Sequence, residues 1–267
     1  MSRRRILIIA FAIMTFAGTS AYAQGNGSMM AGNDNMKSRT MSKKHIGMRP
    51  MATATKFKVR VENISDPEGM TASNGTKFPF ALSPGMFVLS AKNAPLFTEG
   101  KAARANGLEM QAEDGDPSGL VKSLEAMHHA SNLHGVFNTP IGAMGAGPIR
   151  PGDSYEYNFT AAPGMKLFST MMFGQSNDWF YSPDANGIAL FDAKGMPVSG
   201  DITAKFILWD AGTEKDEEIG IGPNQGPRQK GPNTGEDEHG VVQRVKDARW
   251  ANNAQFFRVT IAPEAGM

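Results

Sequence analysis

Three carboxylates stand where ordered strands are expected, and together they could hold a metal ion. Glu156 lies in "DSYEYNF", Asp178 in "SNDWF" and Asp210 in "LWDAGTE". Hard cations such as Ca²⁺ prefer several oxygen ligands from carboxylates and carbonyls. Asp178 and Asp210 are too far apart in sequence for one EF-hand loop, so the fold would have to assemble a shared site. The alternative is that each acid hydrogen-bonds its own backbone and forms a turn.

The segments around these acids carry the alternating apolar pattern of strands. In "FKVRVENIS", the apolar residues Phe57, Val59 and Val61 alternate with charged residues, which predicts a half-buried strand. A strand interrupted by a Pro-Gly turn is predicted at 80–90, and further strands at 154–161, 166–174, 187–192, 204–210 and 255–262. We therefore expect a mostly β protein, an antiparallel β-sandwich with one substantial helix.

The helix is predicted over 116–129, "DPSGLVKSLEAMHH". Pro117 suits its first position, and Leu120, Leu124 and Met127 share one face. Helix capping accounts for the acidic run formed by Glu113, Asp114 and Asp116, because the helix N-terminus attracts negative charge.

His128 and His134, near the end of the same helix, could ligate an ion. A cationic helix C-terminus explains them more simply.

Other functional chemistry finds little support in the sequence. Nucleic-acid binding, nucleotide phosphate loops and nucleophile motifs are not indicated. A glycosidase would need two carboxylates facing a sugar, and a pair from the three acids above could supply them, so a carboxylate-dependent hydrolase is a less favoured alternative. Trp179, Trp209 and Trp250 could form a sugar-stacking surface of a carbohydrate-binding module, although core packing explains the first two better. We expect a binding module, not an enzyme.

The chain contains no cysteine, which excludes disulfides, thiol catalysis and cysteine-zinc sites. Any metal must therefore bind oxygen or imidazole. The formal charge of +1 becomes −2 once the three arginines of the predicted signal are removed, and a slightly acidic protein is a poor nucleic-acid binder.

The N-terminal region has the pattern of an export signal. Arg3–Arg5 precede an apolar stretch too short to span a membrane, and Ala21-Tyr22-Ala23 supplies a cleavage site. We predict a signal peptide at 1–23, a disordered Met-, Gly- and Asn-rich linker at 24–55 and a folded domain at 56–264. The methionines of the predicted linker leave open a Cu(I)-binding role for that segment. Residues 219–240 are expected to form a long exposed loop. No membrane-spanning segment is expected after cleavage, and the protein should be periplasmic or extracellular.

Two motifs resemble the spondin domain, the N-terminal β-sandwich module of F-spondin and mindin. "FGQSNDWFYSPDANGIALFD" followed by "FILWDAGTE" is similar to the paired DWF and DAGT(D/E) motifs of that family, in the same order. "LEMQAEDGDPSGLVKSLEA" and "IRPGDSYEYNFTA" resemble the segments upstream. Together these stretches place the resemblance over Phe57 to Pro263.

The resemblance implies a C2-like β-sandwich that holds one structural Ca²⁺. Carried over by motif, its ligands would be Asp178, Asp210 and Glu156, with Asp153 as a neighbouring alternative to Glu156. It further implies an adhesion or ligand-binding module of the envelope or extracellular space, whose partner is a protein or glycan. The chain has none of the cysteines or thrombospondin repeats of the animal proteins, so their matrix and guidance roles are not implied.

Overall fold

The structure is a computed structural model that describes residues 53–93, 96–103, 106–127, 133–250 and 252–264. The predicted signal peptide and nearly all of the predicted linker lie outside these residues, as do His128 and His129. None of the helices in the described part of the chain is long and apolar enough to cross a membrane.

Thirteen strands and two α-helices make up the regular structure of the described residues. In chain order they are β1 Thr55–Asn63, β2 Met70–Thr71, β3 Lys77–Phe78, β4 Leu82–Ser90, α1 Leu108–Glu113, α2 Ser118–Ala126, β5 His134–Phe137, β6 Ser154–Ala161, β7 Lys166–Phe173, β8 Trp179–Ser182, β9 Ile188–Ala189, β10 Gly200–Asp201, β11 Ile207–Asp210, β12 Gln243–Arg244 and β13 Phe257–Pro263. Short 3₁₀ turns precede β11 and β13.

The strands form an antiparallel β-sandwich, as predicted. One sheet has the order β10-β13-β1-β6, and the other has the order β12-β11-β8-β7-β4-β5, with β9 added to β7. A two-stranded hairpin, β2-β3, lies apart from both sheets. The alternation of Phe57, Val59 and Val61 is confirmed, since all three side chains are buried in the core between the sheets.

A second, smaller core lies on the other face of the larger sheet. Leu108 of α1 and Leu120 of α2 pack there with Phe180 and Trp209. The helices therefore form a third layer. Because β8 is buried on both sides, its position is fixed by apolar contacts with the sandwich core and with the helix layer.

The structure corrects three local predictions. The main helix is shorter than predicted, and Met127 at its end is 54% exposed instead of sharing the buried face. Pro84-Gly85 does not break the strand at 80–90 into two; it forms a register shift inside a continuous β4. The bulge needs glycine because a Cβ at Gly85 would lie 2.2 Å from the carbonyl oxygen of Thr170.

The acidic run 113–116 and the loop 219–240 also differ from expectation. Glu113 is not a free cap residue: it ends an additional helix, α1, and is buried. Asp116 does accept a hydrogen bond from the Ser118 backbone N–H at 2.8 Å. The loop 219–240 is irregular as predicted but not fully exposed, since Ile219 and Gln225 are buried where it folds back on the sandwich.

Candidate metal centre

The candidate site forms where β8 begins and β11 ends. These strands are antiparallel neighbours, and Asp210 pairs with Trp179. Asp178 therefore comes directly before the residue that pairs with Asp210. The Ala211 N–H donates to the Asp178 carbonyl oxygen at 3.2 Å, which holds the two chain ends together beyond the last strand pair. The paired register therefore brings two aspartates distant in sequence to one end of the sandwich.

Asp178 is fully buried, and its two oxygens have different surroundings. Oδ2 accepts hydrogen bonds from the Thr213 N–H at 2.7 Å, the Thr213 hydroxyl at 3.1 Å and the Glu214 N–H at 3.1 Å. Oδ1 has no hydrogen-bond partner among the described residues. A buried carboxylate oxygen without a donor is costly, and a cation is one of the few groups that can satisfy it.

Asp210 and Glu238 complete a group of three carboxylates. One oxygen of each of Asp178, Asp210 and Glu238 lies within 4.8 Å of the others. Asp210 is also held in place, because its Oδ1 accepts from the Gly212 N–H at 2.7 Å and its Oδ2 from the Gln243 amide at 3.0 Å. Glu238 is exposed, so the cluster is buried on one side and open to solvent on the other.

The chain reaches Glu238 by folding back along the segment after β11. The Glu238 N–H donates to the Thr213 carbonyl at 3.1 Å, and the Gly240 N–H donates to the Gly212 carbonyl at 2.8 Å. Gly212 has a φ of +68°, and a Cβ there would lie 2.5 Å from the Val241 nitrogen. Only glycine allows this close return, so the "DAGTE" segment positions Asp210 directly and Glu238 through its backbone contacts.

The electrostatics of the cluster oppose ionisation in the absence of a counterion. Burial raises the pKa of Asp178 well above its ordinary value, and the charge of Asp210 adds to the rise. Burial, with the charges of Asp210 and Glu238, raises the pKa of a fourth carboxyl, Asp216, to about 7. Desolvation and like charge both disfavour the charged forms, which is the arrangement that a bound cation would relieve.

Two further buried acids, Glu113 and Glu214, lie near Thr213. Glu113, at the end of α1, has its pKa raised to about 7, mainly by burial and also by the neighbouring charge of Glu214. Glu214 is itself buried and accepts from the Gly235 N–H at 2.7 Å. Thr213 therefore lies between this pair and Asp178, with which it makes two hydrogen bonds.

The structure does not bring Glu156 to the two aspartates. Glu156 lies in the middle of β6, in the other sheet, with its side chain on the outer face. Its carboxylate pairs with Lys58 at 2.9 Å, which raises the pKa of the lysine. Asp153, the neighbouring alternative, accepts from the Arg150 N–H at 3.0 Å within the turn before β6. Of the three predicted ligands, only Asp178 and Asp210 share a site.

Sequence reasoning missed Glu238 and Asp216. Glu238 lies in the loop 219–240, which the sequence predicts to be exposed, and no local motif marks either residue. The signal that could have found Glu238 is the pair of glycines, because Gly212 and Gly240 permit the backbone contact that folds 236–240 onto 212–214. Without that pairing, Glu238 has no reason to approach Asp210.

The tryptophans do not form an exposed platform. Trp179, Trp209 and Trp250 are each at most 7% exposed and belong to the two apolar cores. The core interpretation of Trp179 and Trp209 is confirmed. The stacking surface on which a carbohydrate-binding module would depend is therefore not supplied by these side chains.

Comparison of the chain with protein-family models and with curated proteins found no match. The site is consequently interpreted from its own geometry.

Proposed function

We propose that this protein is an exported β-sandwich module with one structural Ca²⁺ bound by Asp178, Asp210 and Glu238, serving in adhesion or ligand binding in the cell envelope or extracellular space. The cation would join the ends of β8 and β11 to the segment that carries Glu238. Asp178 Oδ1 carries the proposal, because it is a fully buried carboxylate oxygen with no hydrogen-bond donor among the described residues. Its neighbours at the cluster are acids.

The arrangement suits calcium in ligand type and in size. All three groups offer carboxylate oxygens, which hard cations prefer. The three ligand oxygens lie within 4.8 Å of one another, so one ion placed between them could approach all three at distances near the Ca–O bond length of roughly 2.4 Å. Asp216 lies close enough to act electrostatically on Asp210 and Glu238. The exposed side of the site leaves room for water ligands.

The role as a module rests on the spondin-like motifs and on the predicted signal peptide. The "NDWF" and "WDAGTE" segments supply the two aspartates of the cluster, the same positions that the resemblance marks as calcium ligands. Glu238 stands in place of the glutamate that the resemblance assigned to Glu156. The partner would be a protein or glycan outside the cytoplasm, and no catalytic role is proposed for the acids.

Calcium binding can be tested by titrating chelator-treated protein with CaCl₂ in a calorimeter. We expect saturable binding of about one ion per chain, because the geometry offers one such cluster in the described residues. Asp210→Asn keeps the size of the side chain but removes its charge, and it should weaken binding by tenfold or more, a loss of about 1.4 kcal/mol. Glu156→Gln is the matched control and should bind as the wild type does.

Absence of saturable binding, or an equal loss of calcium affinity in Asp210→Asn and Glu156→Gln, would overturn the assignment of the calcium ligands.

The export of the protein can be tested separately. N-terminal sequencing of the protein recovered from the fractions outside the cytoplasm should begin at Gln24, and an unprocessed cytoplasmic product would contradict the export proposal.

A further inference from the structure

A large cavity is lined by none of Asp178, Asp210 and Glu238. It has a volume of about 860 Å³, within the range of roughly 300–1,000 Å³ typical of small-molecule sites. Its walls come from the β2-β3 hairpin, the segment leading into β4, the end of β7 and the loop 220–228. Most of these elements are distant in sequence but adjacent in the folded chain, so the cavity is formed by the tertiary structure.

Part of the cavity lining is apolar. Phe78 ends the hairpin and Pro79 follows it, Met172 comes from β7, and Ile221 and Pro227 come from the loop. Such surfaces favour the apolar body of a ligand because burying it removes hydrocarbon from water.

The cavity lining also contains a half-buried cation, Arg228. Its Nε donates to the Gly222 carbonyl at 2.8 Å, its Nη1 to Gln175 Oε1 at 3.2 Å, and its Nη2 to Gln225 Oε1. All three acceptors are neutral. A guanidinium has five N–H donors, so one on each terminal nitrogen has no partner among the described residues.

Arg228 has no compensating anion within ion-pair distance in the described part of the chain. Glu217 acts on it electrostatically, but the Glu217 oxygens accept from the backbone and side chain of Asn224 at 2.9 and 2.8 Å. Burial accordingly lowers the pKa of Arg228. A partly desolvated charge without a partner is costly unless a ligand supplies the opposite charge.

The remaining charges of the lining also favour an anion. Lys77 and Arg150 line the cavity with Arg228, and Asp114 is the one carboxylate among the lining residues. The Asp114 Oδ1 accepts from the Gln229 amide at 2.8 Å, which is a neutral donor. Lys77 is paired with Glu68 at 3.6 Å. Arg150 and Arg228 are therefore the two lining cations without an ion pair among the described residues. Two free N–H groups on one planar guanidinium match the two oxygens of a carboxylate.

We propose that this cavity binds an organic carboxylate with an apolar body, its carboxylate on the terminal nitrogens of Arg228 and its body against Phe78, Met172 and Ile221. Small aryl or alkyl acids and the C-terminal residues of short apolar peptides share this chemistry. The inference is independent of the calcium site.

The test uses two probe pairs that differ only in charge, measured by calorimetry on the full chain with calcium present. Phenylbutyrate is compared with phenylbutanol, and N-acetyl-leucyl-phenylalanine with its C-terminal amide. We expect each carboxylate to bind at least about tenfold more tightly than its neutral counterpart, because charge-assisted bidentate bonds are about twice as strong as neutral ones. The stronger of the two pairs identifies a small acid or a peptide end as the better ligand.

Two variants locate the binding. Arg228→Gln should remove most of the preference for the charged probe, whereas Arg258→Gln, which changes an exposed arginine on the outer face of β13, should not. Since Arg228→Gln also loses loop contacts, a second variant leaves the charge intact. A Cβ at Gly226 would lie 3.5 Å from the Met172 methyl without backbone strain, so Gly226→Leu should fill the cavity and weaken every probe.

The proposal is overturned if no probe binds saturably, if neutral probes bind as well as the carboxylates, or if Gly226→Leu binds both carboxylates as the wild type does. None of these results bears on the calcium assignment, because calcium is titrated separately with Glu156→Gln and Asp210→Asn.

Discussion

Asp178 and Glu156 are both acids carried by ordered strands, yet their surroundings are opposite. Glu156 lies mid-strand on the outer face of one sheet, partly exposed and neutralised by Lys58. Asp178 lies just before a strand, fully buried, with Asp210 as a like-charged neighbour. The face of a sheet leaves a carboxylate in water, while the end of the sandwich is covered by loops that bury it. The difference is one of topology, not of residue type.

Glu156 already has a counterion, whereas Asp178 has none among the described residues and is a candidate ligand. An exposed ion pair contributes typically less than about 1 kcal/mol and needs nothing more. A buried carboxylate with one unpartnered oxygen costs stability until a cation binds. The acidic end is therefore a place where the apoprotein is expected to be strained electrostatically and where calcium is expected to stabilise it.

The largest expected effect comes from the glycines that shape the two regions. Gly212→Ala forces a side chain into a positive-φ position with a backbone atom 2.5 Å away, and we expect a loss of about 3 kcal/mol or more in the free energy of unfolding. Gly152, in the turn before β6, has a φ of +93° but open space around it. Gly152→Ala should cost only about 1 kcal/mol. Urea unfolding of both variants measures the difference, and equal losses would show that close packing at Gly212 is unimportant.

The next largest difference in the free energy of unfolding is expected between Asp178→Ala and Glu156→Ala. Asp178→Ala leaves the N–H groups of Thr213 and Glu214 without an acceptor, and we expect a loss of about 2–3 kcal/mol in calcium-free buffer. Glu156→Ala removes an exposed pair and should cost less than about 1 kcal/mol. Chemical denaturation provides both values. A larger loss for Glu156→Ala would reverse the comparison.

The buried acids also predict the direction of the pH dependence. The pKa of Glu113 is raised from 4.5 to about 7, so its proton is held more tightly in the folded state. Its contribution to stability is fully present below pH 4.5 and is lost as the pH rises through about 7. Calcium-free protein should therefore gain stability, measured by urea unfolding, as the pH falls from about 8 to about 6.

Glu113→Gln should reduce the slope of that profile and raise the free energy of unfolding at about pH 8 by about 1 kcal/mol. Glu68→Gln, at a carboxylate whose side chain is 82% exposed, is the control and should leave the profile unchanged. A wild-type profile that rises with pH over this window would contradict the assignment of buried, proton-binding acids.

The smallest effect on stability is expected at the exposed member of the cluster. Glu238→Gln should change the calcium-free stability by less than about 0.5 kcal/mol, because the side chain is open to solvent. It should still weaken calcium binding by about tenfold, through loss of one charged ligand. Glu236→Gln, two residues away and paired with Lys215, should bind calcium normally. Calorimetric titration of both distinguishes a ligand from general loop charge.

The sequence predicted the layers of this fold better than it predicted the connections. Alternating apolar residues predicted β1, β6 and β13, because each of these strands buries every second side chain in the core. The mainly apolar segment of β7 predicted a strand that is buried on both faces. The same alternation placed Glu156 outward, between the inward Tyr155 and Tyr157. An outward position in the middle of a strand argues against Glu156 as a ligand at the end of the sandwich.

The aspartates were predictable because they are tied to strand ends, and Glu238 was not. Asp178 and Asp210 flank apolar segments whose pairing is set by local pattern. Glu238 reaches the site only through tertiary backbone contacts with Thr213 and Gly212. Contacts of that kind leave no periodic signal in a Gly-, Pro- and charge-rich loop. The burial of Glu113 is similarly hard to predict, because the helix that ends at this residue has only six residues.

The central claim is most directly tested by thermal melting of the chelator-treated protein with and without saturating calcium. Ligand binding to the native state at about 100 times its Kd adds about 2.7 kcal/mol. For a domain of this size that corresponds to a rise of roughly 5 °C or more in Tm. The wild type and Glu156→Gln should show this rise, and the double variant Asp178→Asn with Asp210→Asn should not. No rise in the wild type, or an undiminished rise in the double variant, would contradict the account.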